Sequence, residues 1–282
     1  MTGDPARLPI GVSIGSIRAE PGWWLDAARR LDEAGYAGVW CWDHFIGKGD
    51  PTVPVVEAWT ILSAAAAITT RATLGPFVLN VMNRHPSVVA RMAATLQAVS
   101  GGRLVLGIGI GGHPAEHRVL GIPFPEVTER VARLEEAIAV IRALWTGGPV
   151  TRPSPLYPLD RAHSFPRPVP VPRIVVGGQS RNGARLAARL GDGWTAFDGT
   201  FERDLPLYLE TLEAEGRRRA EQLVIVAFEG GGSGEDRLHL RPWVEEPREM
   251  WERWRSVGAD GAIVSVRTED DVRALLEAAG RW

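Results

Sequence analysis

Eight short apolar runs recur along the 282-residue chain, and each is followed by a longer stretch whose apolar residues fall at three- and four-residue spacing. The short runs, rich in Val, Ile and Gly, predict strands buried on both faces, as in a parallel sheet. The longer stretches predict amphipathic crossover helices. Eight consecutive strand–helix units are what a (β/α)8 barrel needs, whereas a doubly wound sheet uses fewer and tolerates an antiparallel edge. The expected fold class is therefore α/β, a (β/α)8 TIM barrel. A single barrel domain over 1–282 suits the length, because such barrels typically run to about 250 residues.

Strands are expected at 9–15, 38–44, 73–79, 103–109, 173–176, 193–197, 223–228 and 261–266. Helices are expected at 21–34, 57–69, 86–99, 125–145, 182–190, 205–219, 247–257 and 269–279. Pro86 suits a first helical turn, where its missing N–H would have no partner anyway, and Gly35 suits a helix end. The rhythm breaks once, at 147–172. The prolines there exclude helix and central strand, and the length exceeds a routine connection. Because the alternation resumes directly afterwards, the segment is expected as a Pro-rich insertion between the fourth and fifth units, lying over the barrel mouth. A flexible inter-domain linker is the other reading.

Composition narrows the function classes. Hydrophobic residues at 45% and charged residues at 23% fit a globular protein with a large core, and exclude a disordered or fibrous chain. With 32 basic and 34 acidic residues the net charge is −2, so no global basic field points to nucleic acid or to an anionic membrane. No apolar run reaches about 18 residues, so no spanning helix is expected. The single cysteine, Cys41, excludes an intramolecular disulfide and fits a reducing compartment. The N-terminus has no charged-then-apolar leader pattern, so a cytoplasmic location is expected. Lys48 is the sole lysine, a bias that reads as GC-rich coding.

Right-handed crossovers place the C-terminal ends of all eight strands on one face, where active sites of this fold form. The second strand ends in Asp43-His44. A histidine there suits proton exchange near neutrality; otherwise Asp43 caps a turn and His44 packs. The third strand runs through GPFVLN, either a rigid apolar wall for a flat ring or plain core. The fourth ends in GIGIGG (107–112), a literal G-x-G-x-x-G. Two of its glycines fall inside the strand, in the fourth unit of eight, which argues against a dinucleotide fingerprint. HPAEH (113–117) then reads H-x-x-E-H. His113 and His117 one turn apart on a helix could bind zinc with Glu116 as base, but Pro114 puts His113 at or before the helix start. A zinc hydrolase is thus the reading from a different class. GGQSRNG (177–183) predicts an anion site at a helix N-terminus, with Gln179 and Ser180 as donors, or a serine that simply caps. Trp243, Trp251 and Trp254 read as core or subunit interface. The 217–219 arginine run reads as a solvated helix end, and GGGSG (230–234) as a mobile rim loop.

LDEAGYAGVWCWDHF, the N-x-x-x-RHP of NVMNRHP, SGGRLVLGIGIGG, IRALWTG, PRIVVGGQSRNGARLAARLGDGW and GADGAIVSV resemble, in order and spacing, the bacterial luciferase-like superfamily of flavin- and deazaflavin-dependent oxidoreductases. The resemblance implies a (β/α)8 barrel with a flat cofactor ring at its mouth. It implies a cis peptide at Phe77–Val78 under the ring, and cofactor contacts from Asn80, Gly109, Gly111 and Gly112. Gly177, Gly178, Gln179 and Ser180 would hold a phosphate. Asp43 and His44 would flank the ring, His44 handling a proton and Asp43 holding its tautomer or touching the cofactor. The short chain and WDHF resemble the branch using the deazaflavin coenzyme F420, with FMN-dependent monooxygenases as the near alternative. Sugar-phosphate dehydrogenases of that branch pair the His with a Trp and a strand-four Glu. Lys48 and Gly112 stand at those positions here, which argues against that reaction. The expected activity is hydride transfer between F420 and a small organic substrate under the insertion, in a homodimer with no metal. A cofactor-free binding protein is the third reading.

Overall fold

The structure is a computed structural model that describes residues 8–47, 49–228 and 239–282. Lys48 and the 230–234 loop lie outside the described residues. The chain runs through β1 (Ile10–Ile14), α1 (Pro21–Glu33), β2 (Gly38–Cys41), α2 (Ala58–Ile68), β3 (Thr73–Pro76), β4 (Leu79–Asn80), α3 (Pro86–Val99), β5 (Val105–Gly109), α4 (Pro114–Leu120) and α5 (Val127–Trp145). It continues with β6 (Val150–Arg152), β7 (Leu159–Ala162), β8 (Arg173–Gly177), α6 (Arg181–Leu190), β9 (Gly193–Phe197), α7 (Asp198–Ala214), β10 (Leu223–Phe228), α8 (Arg241–Glu245), α9 (Pro247–Val257), β11 (Gly261–Val266) and α10 (Glu269–Ala279).

One sheet carries the order β3-β2-β1-β11-β10-β9-β8-β5-β4, with every pairing parallel. The two ends of that order are halves of one strand. β3 pairs with β2, β4 pairs with β5, and Leu74 bridges Leu104. The broken third strand therefore closes an eight-stranded barrel, as the alternation predicts. The break falls at Phe77–Val78, whose peptide bond is cis, as the resemblance implies.

Trp40 fills the barrel interior with Val105, Val175, Leu223, Ile225 and Ile263. Gly75 makes room for it. A Cβ at that position would overlap the Val105 carbonyl oxygen and lie 2.7 Å from the Trp40 ring. A second, larger core separates the barrel from its helices. α1 joins it through Trp24, Ala27, Ala28 and Leu31, which share one face because they recur at three and four residues. Trp194 stacks between Phe201 and Tyr208 at 5.4 and 5.3 Å. Trp243 and Trp254 bracket Phe228, so both are core.

Several boundaries depart from expectation. β2 stops at Cys41, which leaves Asp43 and His44 on the rim loop. α7 begins at Asp198, seven residues before the expected start at 205, and carries Pro206 inside. Gly216, with φ 65°, stops it short of residue 219. Of the 217–219 arginines, Arg218 is solvated as expected, whereas the other two are tied to neighbouring helix ends. Arg217 donates to the carbonyls of Ala188 and Gly191 at the end of α6, and Arg219 to Gly258.

The insertion forms a small antiparallel ribbon, β6 with β7. Arg91 donates to the carbonyls of His163 and Phe165, and Gln97 to Pro170. Tyr157 packs on His85 and faces Arg133. The segment therefore lies along α3 and α5, and none of its residues lines the cavity at the mouth. α3 side chains thus satisfy three of its carbonyls outside the ribbon.

At the opposite end, the buried Asp32 carboxylate accepts the backbone N–H groups of Thr70, Arg71 and Ala72 at 2.5–2.9 Å. Burial opposes its charge, but those three donors hold its carboxyl below the usual carboxylate range. Its contribution is therefore present above the unfolded pKa and is lost as pH falls through the lower folded value. Asp32→Ala is expected to cost about 3 kcal/mol at pH 7, by denaturant melts, and progressively less below pH ~4. Among the described residues no helix is long and apolar enough to cross a membrane.

Candidate active site

The C-terminal ends of the barrel strands open into a cavity of 990 Å³. All the sequence-predicted site residues reach it: Asp43, His44, Phe77, Val78, Asn80, Gly109, Gly111, Gly112, Gly177, Gly178, Gln179 and Ser180. Their individual contacts divide the cavity into an acid–base end, an apolar floor and an anion end.

At the acid–base end, His44 Nδ1 lies 3.0 Å from Oε2 of Glu116. The other Glu116 oxygen accepts the Phe45 backbone N–H. Glu116 is 5% exposed. Burial opposes its charge, yet the hydrogen bonds from His44 and Phe45 and the nearby His113 hold its carboxyl below the usual range. An ionised Glu116 fixes His44 with its proton on Nδ1, leaving Nε2 to exchange a proton with a ligand. The His113 ring stands edge-on to His44, centroids 4.7 Å apart, at the cap of α4.

Asp43 does not hold the His44 tautomer, contrary to expectation. Its buried carboxylate accepts both terminal nitrogens of Arg84 at 2.8 and 2.9 Å, the Asn80 backbone N–H and the Asn83 amide. Arg84 also pairs with Glu57, which caps α2. Asp43 is thereby a fixed strut between the rim loop, α2 and the turn after β4.

The H-x-x-E-H motif resolves into three separate contacts. His113 faces His44, Glu116 holds His44, and His117 Nε2 accepts from the Asn80 side chain at 2.8 Å. Burial keeps His117 on its neutral side. The two motif histidines thus serve different partners. Among the described residues no group of three or more His, Cys, Asp or Glu could hold a metal ion. The zinc reading fails on this geometry.

The floor explains the glycines of the fourth and fifth strands. Val78 sits among them. A Cβ at Gly107, Gly109 or Gly177 would lie 2.9–3.2 Å from its methyls. Gly111 has φ 77°, and a Cβ there would lie 2.5 Å from the Asn80 amide oxygen. The string is therefore a packing surface around the broken strand, not a dinucleotide turn. At Gly112 a Cβ would meet no protein atom within 4 Å and would enter the cavity. Thr195, a residue 3% exposed, also lines the cavity, and its buried hydroxyl has no hydrogen-bond partner among the described residues.

At the anion end, Gly178 packs its Cα against Gly183, and Ser180 caps α6 by accepting the Gly183 N–H at 3.1 Å. Gln179 accepts the Phe197 N–H at 3.0 Å. Capping is thus one function of this segment, and Ser180, Asn182 and Gly183 at the start of α6 also line the cavity.

Sequence reasoning missed Glu116 as the partner of His44, although the motif singled it out. It also missed Arg84, although the quoted N-x-x-x-RHP holds both Asn80 and Arg84, the two main ligands of Asp43. Thr195 carried no signal of its own.

The family model for luciferase-like monooxygenases matches residues 10–229. The chain is 38% identical over 226 residues to the F420-dependent glucose-6-phosphate dehydrogenase of Beutenbergia cavernae, and 36% over 223 residues to that of Kineococcus radiotolerans. Each match covers 76% of this chain but only 64% and 65% of those proteins, so the chain spans less than two-thirds of their length. The solved structure of an F420-dependent secondary alcohol dehydrogenase in complex with an F420–acetone adduct superposes with a TM-score of 0.82 at 20% identity. It covers 96% of this chain and 98% of the other, a likeness of fold. The family match spans most of the chain and agrees with the closed barrel and its broken third strand: this protein belongs to the luciferase-like monooxygenase family.

Proposed function

We propose that the protein is an oxidoreductase that transfers a hydride between coenzyme F420 and a small organic alcohol or carbonyl compound. The observation that carries this reading is the Glu116–His44 pair, a proton-handling group on the wall of a large cavity at the barrel mouth. The similarity to F420-dependent relatives supports the choice of cofactor.

The residues present fit a flat tricyclic cofactor with a phosphate-bearing side chain. The cavity volume exceeds such a ring, the Val78 shelf is apolar, and the Thr195 hydroxyl is an unused hydrogen-bonding group in its wall. Phe77, Val78 and Gly109 would support the ring, Thr195 would meet its polar edge, and 177–180 would take the phosphate. When bound, the deazaflavin supplies hydride donation and acceptance.

The chain's own residues manage the proton. His44 Nε2 takes the hydroxyl proton of an alcohol, or returns it to a carbonyl oxygen. Glu116 stabilises the imidazolium that forms, from a position where burial strengthens the pairing. Asp43 and Arg84 keep the rim loop, and with it the ring, in place. The sugar-phosphate reaction in the relatives' names does not transfer directly, because Gly112 offers no side chain to the cavity.

The test is a cofactor-absorbance screen in both directions with alcohols, aldehydes, ketones and sugar phosphates, run beside FMN with oxygen. F420 turnover that is lost in His44→Ala supports the reading. FMN-supported oxygen consumption without F420 turnover overturns it. Thr195→Val is expected to weaken F420 binding by about fivefold in a fluorescence titration, with no loss of thermal stability, because it removes one hydrogen bond and no packing volume. The proposal includes a cytoplasmic, single-domain homodimer. Sedimentation at twice 30.7 kDa supports the dimer, and 30.7 kDa removes it.

A further inference from the structure

One residue of the H-x-x-E-H string is left over by the proton chemistry at His44. His113 also lines the cavity, and its half-buried ring stands at the N-terminal cap of α4, between the exposed residues Gly112 and Pro114. It makes no capping hydrogen bond there, and Pro114 at the first helical position fixes the backbone that carries it. The rings of His44 and His113 are 4.7 Å apart between centroids and inclined at 76°, so the edge of one meets the face of the other. Imidazoles joined by an N–H···N bond have centroids about 5 Å apart, so rotation of the His113 ring, or one bridging water, is enough to pass a proton between them.

Both imidazoles face one carboxylate. Glu116 meets Nδ1 of His44 directly, and the charge of His113 acts on it as well. The other ionisable groups around the pair are committed elsewhere. Asp43 and Glu57 pair with Arg84, and His117 turns to Asn80. Arg130 donates to the Ile110 and Gly111 carbonyls, and Arg267 lies over Trp42. One buried negative charge therefore serves two imidazoles, and it compensates one added proton, not two. The His44 side chain is 25% exposed, and a substrate and cofactor in the cavity would cover it further.

We propose that His44 and His113 share one proton above Glu116, and that His113 carries it between His44 and solvent when the cavity is filled. The inference rests on the hydride-transfer reading and deepens it. In alcohol oxidation the C–H hydride leaves with its electron pair for the cofactor, the O–H proton goes to Nε2 of His44, and the carbonyl product forms. His113 then accepts the proton from His44 and releases it to water, which restores neutral His44. Reduction of a carbonyl runs the same steps backwards. His113 thus acts through His44, not on the substrate.

The test compares wild type, His113→Phe, His113→Asn and His44→Ala. Phenylalanine keeps the bulk of a ring and asparagine suits an N-cap, so both His113 variants are expected to melt within a few degrees of wild type. Single-turnover hydride transfer, read from cofactor absorbance, is expected to stay within about twofold in both. Steady-state turnover in dilute buffer is expected to fall about tenfold and to be restored by added imidazole. His44→Ala loses both phases. An equal loss in both phases that imidazole does not restore, or unchanged steady-state turnover, overturns the relay. Histidine-ring NMR on the cofactor-free protein reads the pair without turnover. In wild type the two rings are expected to titrate as one coupled pair, each curve spread over two steps, and in either His113 variant His44 is expected to give a single step. Independent single-step curves in wild type overturn the shared proton. Coupled curves with no F420 turnover of any alcohol or carbonyl compound overturn the hydride-transfer reading and the relay with it, and leave the shared proton standing.

Discussion

His44→Ala is expected to lower turnover of the F420-linked reaction by about 10²- to 10⁴-fold while changing the dissociation constant for the cofactor little. The side chain removed is the one that exchanges the substrate proton, and the wall that supports the ring is untouched. Glu116→Gln isolates the charge. Glutamine keeps one acceptor oxygen, enough for the Phe45 N–H or for Nδ1–H of His44 but not for both, and cannot stabilise an imidazolium, so turnover is expected to fall by roughly 10²-fold. Substrate affinity stays within a few-fold, which separates an effect on the proton step from a general loosening. The stability difference between wild type and Glu116→Gln carries a further signature. The Glu116 carboxyl is held below its usual range, so its contribution is complete at neutral pH. It is lost as pH falls through that lower value. A constant difference from pH 7 to pH 3 would mean that Glu116 is not an ionised partner of His44.

Arg84→Leu is expected to produce the largest loss of stability, about 3–5 kcal/mol, because it leaves the Asp43 carboxylate buried without its cation. A melting temperature about 10 °C lower would register it. The loss is specific to an unpaired charge. Arg84→Leu combined with Asp43→Asn therefore recovers a substantial part, and the double-mutant cycle gives a strong positive coupling. The same substitution frees the loop that carries Trp42 and His44, so cofactor affinity falls with stability. Additive single and double effects would show that the guanidinium is not the structural partner of Asp43.

The barrel was legible because its two periods are distinct. Strands buried on both faces read as short continuous apolar runs, and helices as three- and four-residue repeats, so the eight units separate without ambiguity. The rim was less legible. Nothing local says that the third strand splits at Phe77–Val78; the resemblance carried that point. The expected helix at 205–219 began too late: Phe201 and Tyr208 are both buried in α7, which starts at Asp198. The twelve predicted cavity residues share one mouth because strand ends converge there in any such barrel. Their partners are another matter. Glu116 meets His44 across 72 residues and Arg84 meets Asp43 across 41, and no spacing rule reports a contact of that range. The H-x-x-E-H string illustrates the consequence. Its residue types were informative, but His113 and Glu116 both meet His44 while His117 meets Asn80, so the three side chains do not converge on one point. The packing of the insertion was illegible for a similar reason. Its prolines argued against helix and central strand, but nothing local announced the β6–β7 ribbon or the donors that Arg91 and Gln97 on α3 supply to its carbonyls.

The central claim is that this site is built for F420, and its most direct test is a titration of purified protein with F420 and, separately, with FMN, followed through tryptophan fluorescence. Trp42 lines the cavity and Trp40 touches Phe77 from below, so occupancy is expected to quench emission. The account predicts saturable micromolar binding of F420 with FMN at least tenfold weaker, and retention of that preference in His44→Ala. Tighter binding of FMN, or no quenching by either cofactor with the barrel intact, would contradict it.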